Sequence, residues 1–521
     1  MALMLIGYVS DENYMALCGV HVEFEQEGRS VAGISRVTGA IHADLEPGPC
    51  HAALFHPDHG AKRVALTIDA NQPYQFRLLS RKLRGLMWPT CIQAGEVSEY
   101  CVHSQEAFRL DLFRYGWQKE FIRSYGWCDE HGPGAMQQIL PDGDFAADGV
   151  DWNRTGYKLE FQKHGVSAPS RSGLYFLHTT TTSDQFYNFP WLVSPAQPSS
   201  DIAVLASTMT WNAYNSFGGR SNYYSQAGLA ATPTVNSRQD LGRYTEPDTW
   251  PYEVTAAPLS FQRPQDSHQV PRDSAITDPI PGRLGSALAP GLWRLLGWLE
   301  REDFPHDLYP DTALAQGELD LDQYRVLILD NHPEYWTANM YQSIKHWVQE
   351  KGGKLLYLGC CAGYAEAELP DAHTQLCRRE GYWELRGEPI HPFLGVGYTH
   401  AGFQTGAPYR VGNAEHWIFA GTGLADGDLF GQRSLHERAP GGASAHELDT
   451  IQEESPENLE HLAKGTNPEE SGADLVYYTT ASGGHVFSVG SLCWTLSLPI
   501  DDHISTITRN VLRHSLDQEH A

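Results

Sequence analysis

Positive charge is what this chain has least of. Its 37 lysines and arginines stand against 64 aspartates and glutamates, a formal net charge of −27, and so acidic a surface repels phosphate backbones and anionic lipid surfaces. Nucleic acid and membrane are therefore not expected partners, and the charge is read first as what keeps a large chain soluble. Long apolar runs are missing too: no stretch approaches the roughly 20 residues a membrane span needs. The start MALMLIGYVSDENY has no basic n-region and its apolar run ends early, so it fails as a secretory signal. The nine cysteines are odd in number and scattered, apart from adjacent Cys360 and Cys361, which fits a reducing compartment better than a disulfide framework. A cytoplasmic protein is expected.

What is present is enough chain for several cores. At 521 residues, two to four domains are expected. From Tyr8 to about Leu79, short alternating runs such as GVHVEFE, CHAALFH and RVALTID are broken by Gly, Pro and Asp, the pattern of a small β-sandwich. This stretch resembles a transthyretin-like or carboxypeptidase-regulatory-like module. From Ser80 to Pro198 the runs EYCVHS, FRLDLFRYG, YKLEFQ and SGLYFLHT predict a second all-β domain, closed by a Pro/Ser linker at FPWLVSPAQPSSD. Apolar strands then alternate with amphipathic helices: DIAVLAS, GLWRLLGWLERE, YRVLILDN, ANMYQSIKHWVQEKGG and KLLYLG. That alternation predicts a doubly wound α/β domain. The division is therefore 1–79, 80–198 and 199–521, with ligands expected beyond the carboxyl ends of the parallel strands.

Three loops should converge there. MTWNAYNSFGGRSNYY, after the first strand, crowds phenols and amides around a Gly-Gly pair. NHPEYWT, after RVLILD, sets His332 and Glu334 across a proline, with Thr337 as a plausible N-cap. An imidazole and a carboxylate at a strand end can bind a metal or move protons, or else pair within the fold. The third loop delivers Cys360 and Cys361 on a strand-to-helix turn, the place of a nucleophile elbow, although buried cysteine is commonly just a small apolar residue. His485 in GGHVFSVGS is available to it. GGASAHELDT, with His446, Glu447 and Asp449, is read as a solvated acidic loop, and the following acidic stretch to Asp474 as a surface excursion. NRT at Asn153 matches a glycosylation sequon and is read as incidental.

In order, WNAYNSFGGRSNYY, SFQRP, LLGWLERE, DNHPEYWT, GGKLLYLGCCAGY and GADLVYYTTASGGHVFSVGSLCWTLSL resemble the large subunit of the N,N-dimethylformamidase family. The resemblance implies a glutamine-amidotransferase-like α/β domain holding one iron through two tyrosines and a glutamate, with metal-bound water attacking a small N-substituted amide or formamide. It makes Glu334 a ligand and His332 the histidine beside it, and it places the loop of His446, Glu447 and Asp449 near the cleft. Tyr214 and Tyr223 both fit the first tyrosine, and Asn212 and Asn215 would orient substrate. For the second tyrosine the family has an aromatic after an SF strand where this chain reads SFQRPQDSH, with Gln265; Tyr252 of WPYEV is the substitute. Cys360 replaces an amide of the family's Gly-Gly-Asn-Gly turn. These departures leave open a Cys360-dependent amidase or a catalytically inactive binding platform. Two phenolates and a carboxylate are hard anionic donors suited to ferric iron. The resemblance also implies an oligomer and a separate small helical subunit, whose place the first module could instead fill.

Overall fold

The computed structural model describes residues 3–128, 137–138, 142–150, 165–225, 227–235, 256–282, 287–378, 383 and 386–517. Tyr252, Asn153 and the expected strand YKLEFQ lie outside them.

The first 79 residues form a three-stranded sheet in the order Ala40–Ala43, Met4–Ser10, Tyr74–Arg77, and contribute four strands to a five-stranded sheet. Alternation explains the pairing: His21–Gln26 buries Val22 and Phe24 and exposes their neighbours. Val9, Phe24, Leu54 and Phe76 meet in one core between the sheets. A second β-rich region packs Lys119–Cys128, Phe108–Tyr115, Gly173–Thr181, Phe186–Ser194 and Cys91–Gln93 into one sheet. Here the expected linker gives way to structure. Phe186–Ser194 is a buried strand paired antiparallel with Gly173–Thr181, and Pro190, opposite Phe176, lies inside it.

The remainder is built on a nine-stranded sheet. Its strands in chain order are β1 (Ile202–Ala206), β2 (Asp307–Pro310), β3 (Val326–Asn331), β4 (Lys354–Gly359), β5 (Tyr409–Val411), β6 (Leu429–Phe430), β7 (Glu460–Gly465), β8 (Asp474–Thr479) and β9 (His485–Ser488), and their spatial order is 2-1-3-4-9-8-7-5-6. Strands 2-1-3-4-9 are mutually parallel and 9-8-7-5-6 antiparallel. The parallel strands are buried along their whole length, as the continuous apolar runs require. Successive side chains enter opposite layers. Ile202 and Val204 pack with α2 (Ala289–Arg301) and α5 (Asp502–Asp517), while Ala203 and Leu205 pack with α1 (Thr208–Tyr214), α3 (Asp311–Gln316) and α4 (Ala338–Glu350). Helices thus cover both faces. At α4 the Thr337 side chain accepts from the Met340 N–H, the expected cap.

The acidic stretch after Glu447 is not a surface excursion throughout, because β7 buries Leu462 and Ala463 in the sheet. Among the described residues no helix is long and apolar enough to cross a membrane.

Candidate functional site

At the carboxyl ends of β1, β3 and β4 the three loops meet. α1 begins two residues after β1, and its last residue, Tyr214, stacks on Tyr223 of the following turn with ring centroids 4.3 Å apart. The Tyr223 hydroxyl donates directly to Glu334 Oε1, and the Tyr335 hydroxyl donates to Tyr223 Oη at 3.0 Å. Glu334 is held through its backbone: its N–H donates to Thr210 Oγ1 of α1 at 3.0 Å, and its carbonyl accepts from Ala365. His332 lies against the Tyr214 ring, centroids 5.6 Å apart. Its Nε2 stands 2.9 Å from Glu447 Oε2 and 3.5 Å from Glu334 Oε2.

Glu447 and Asp449 come from the turn expected to be solvated, which is a correction. Ser444 to Asp449 are buried, Asp449 being 1% exposed. Asp449 accepts from the Cys361 N–H at 3.0 Å and from the Tyr357 hydroxyl at 2.7 Å, so it ties the turn to the end of β4. Apolar Ala443, Ala445 and Leu448 interleaved with the acids are the signal that could have revealed this burial. Three residues around the site take the left-handed backbone region that side chains disfavour: Asn331 (φ 35°), Cys361 (φ 60°) and His446 (φ 74°). Asn331 is fixed there by its Nδ2, which donates to Leu492 O and Thr495 Oγ1.

The site is buried and rich in acidic groups. Burial raises the carboxyls of Asp330 and Glu334 above their ordinary range and that of Asp449 to about 6, and His332 opposes the rise at all three. Burial, then the charge of Glu334, raises the phenols of Tyr214 and Tyr223 well above theirs. Glu334 Oε2 is buried without a hydrogen bond. A buried carboxylate with one oxygen outside ordinary hydrogen-bond geometry, beside two stacked phenols, offers hard oxygen donors, so these residues fit a hard metal ion. His332, Cys361 and Glu447 also bring a nitrogen, a sulfur and an oxygen within 4.8 Å of one another.

Other expected residues serve elsewhere. Asn212 Nδ2 donates to Gln375 and its Oδ1 accepts from the Arg263 guanidinium at 2.8 Å; Asn215 bonds Pro264 O and the Phe217 N–H. Both amides are spent on holding α1 and the following turn, which corrects their assignment to substrate. Gln265 lines a separate cavity. Cys360 is buried against Leu492 and Cys493, and burial pushes its thiol up to about 12, the opposite of an activated nucleophile. His485 bonds Ser515 from β9 and is no partner for it. Tyr335 and Tyr357 were not singled out from sequence, although Tyr335 adjoins Glu334.

Two curated relatives, N,N-dimethylformamidase beta subunits from Paracoccus aminophilus and an Alcaligenes species, are each 25% identical, the match covering 44% of this chain and 37% of theirs. The chain thus spans little more than a third of the length of those relatives. Among solved structures, the Bacillus anthracis TIE protein is 9% identical with a TM-score of 0.14, over 39% of this chain and 36% of that one. A DUF3823 family protein from Bacteroides ovatus is 8% identical with a TM-score of 0.13, over 35% of this chain and 97% of that one. Likenesses so slight carry no argument. The family model described as N,N-dimethylformamidase beta subunit-like, C-terminal, matches residues 109–507. Most of the chain falls under that one description, and the protein belongs to the N,N-dimethylformamidase beta subunit-like family.

Proposed function

We propose that this protein is an iron-dependent hydrolase of a small N-substituted amide or formamide. The observation that carries the reading is the buried Glu334 carboxylate, bonded by Tyr223 on one oxygen and facing His332 on the other, beside a stacked Tyr214. The family's curated members bear the name of such an enzyme.

Tyr214, Tyr223 and Glu334 would hold the ion, which when bound supplies a Lewis acid toward the amide carbonyl and makes water more acidic. The rest falls to the chain's own groups. Glu447, 2.9 Å from His332 Nε2, is placed to take a proton from the attacking water, and the imidazole to hold that proton as the pair's charge is shared. The same pair returns it to the departing nitrogen, so that the amine leaves neutral. Tyr364 and Tyr398, packed over the Cys360–Cys361 turn with ring centroids 5.4 Å apart, narrow the approach and favour a small, weakly polar substrate.

Residues 199–521, with a mixed sheet whose parallel half is covered on both faces, serve in this reading as an amidotransferase-like catalytic domain, preceded by β-rich units at 1–79 and 80–198. Because the relatives are named as beta subunits, a separate subunit belongs to the proposal. The deciding experiment is elemental analysis with a visible spectrum, on protein purified without added metal. About one iron per chain with a phenolate-to-iron absorption band is expected. Metal-free protein that still hydrolyses amides would overturn the reading.

A further inference from the structure

A second cavity, of about 540 Å³, lies on the far side of α1 from the tyrosines. The helix divides the two spaces by its own periodicity. Thr208 and Trp211, three residues apart, line the cavity, whereas Thr210 and Tyr214, four apart, serve the site through Glu334 and the stacked rings. The other walls come from the β-rich region before β1, from Phe261 and His373, which adjoin the paired strands Leu259–Ser260 and Thr374–Arg378, and from β2 and α3.

Acidic groups outnumber basic ones: among the described lining residues His373 is the one basic side chain. Four aromatic side chains, Trp88, Trp211, Phe261 and Tyr309, line it, and Trp88 packs on His373 with ring centroids 5.1 Å apart. Three carboxylates, Glu96, Glu318 and Asp371, share the lining, with no lysine or arginine among the described residues there. Glu96 and Asp371 each use an oxygen to accept a local backbone N–H, from Gln93 and His373, which fixes both carboxylates in place. Neither acid finds an arginine or lysine in this lining. Flat aromatic faces attract a cation through their quadrupoles, most strongly when the ion is poorly hydrated. Carboxylates beside such faces select positive charge and reject anions. A strongly hydrated metal ion gains nothing from indole walls, whereas a methylated ammonium ion gains from both features.

We propose that this cavity is a binding site for a small organic ammonium ion, held between the rings of Trp88 and Trp211 and the carboxylates of Glu318 and Asp371. The amine set free by amide hydrolysis becomes an ion of this class on protonation. The site itself rests on the cavity alone and not on the hydrolase reading. Binding is a non-covalent event, and the occupant touches the helix whose opposite face carries Tyr214.

The test is isothermal titration of the full chain with trimethylammonium chloride at neutral pH, compared with tert-butyl alcohol, a neutral molecule of similar shape. Saturable binding of one ion is expected, at least tenfold tighter than the alcohol. It should weaken at least tenfold in Trp88→Ala and, independently, in the Glu318→Gln/Asp371→Asn double variant, whose exposed positions leave the core intact. Absence of saturable binding, equal binding of the alcohol, or unchanged affinity in the double variant would overturn the proposal. Iron content and amide hydrolysis are measured separately, so failure of the hydrolase reading leaves this result legible.

Discussion

Glu334 and Glu447 share one imidazole, yet they should fail differently. Glu334→Gln is expected to lower bound iron more than tenfold and to abolish the phenolate band, measured by elemental analysis and absorption. Glu447→Gln should keep the iron and lose kcat by about 10²- to 10⁴-fold, the usual worth of a positioned proton-transfer group; steady-state kinetics on a small amide reads the split between kcat and KM. Cys360→Ala should stay within about threefold of the parent, because a thiol pushed up to about 12 supplies almost no thiolate at neutral pH. At this scale, legibility followed proximity in the chain. His332 and Glu334 stand two apart in one short loop, and the tyrosines cluster in another, so that these loops meet at the strand ends could be expected from the chain, whereas the ligand roles came from the family resemblance alone. Glu447 and Asp449 were illegible because an acidic turn reads as solvated until the strand it packs under is known. The partners of the Asn212 and Asn215 amides were illegible for the converse reason: Arg263, Gln375 and Pro264, which bond them, lie far along the chain.

Elements were more legible than residues. The apolar runs at β1, β3 and β4 and the amphipathic α2 and α4 could be read directly, because a strand buried on both faces admits few alternatives. The strand Phe186–Ser194 was hidden by Pro190, which normally argues against a strand interior. One close approach between elements can be tested. A Cβ on Gly359 at the end of β4 would lie 2.0 Å from the Asn331 carbonyl oxygen of β3, a backbone atom that cannot swing aside. Gly359→Ala is therefore expected to cost roughly 1–3 kcal/mol in urea unfolding and to lower iron occupancy, since it pushes apart the two strands whose loops carry Glu334 and Cys361. A variant with unchanged stability and full occupancy would contradict this account of the strand ends.

For the whole molecule, buried histidines and buried carboxyls pull the pH dependence of stability in opposite directions. Burial pushes His178, His268 and His485 down to about 3. Their folded pKa values lie below the unfolded value of about 6.5, so the stability they confer is complete above pH 6.5 and drains away as pH falls toward 3. Each contributes roughly 2 kcal/mol of loss between pH 6.5 and 5. The buried carboxyls of Asp11, Asp311 and Asp449, raised to about 6, 7 and 6, act in the opposite sense over that interval, so the check is a difference: between pH 6.5 and 5 the urea midpoint of His485→Gln should fall less, or rise more, than that of the parent. Chelation is expected to lower Tm by a few degrees through the ion's preference for the folded chain, and to leave the Tm of Glu334→Gln unmoved.

The sheet order carries a consequence for how this protein is made. β9, near the end of the chain, sits between β4 and β8, in the middle of the sheet rather than at its rim. A chain emerging from the ribosome therefore completes a parallel half and an antiparallel half before the strand that joins them exists. Until His485–Ser488 arrives, two apolar strand edges stand open to any neighbouring chain. Yield of native protein should depend on slow synthesis, low temperature or a holding chaperone, and a nonsense truncation just before β9 should give aggregates rather than a shorter soluble protein.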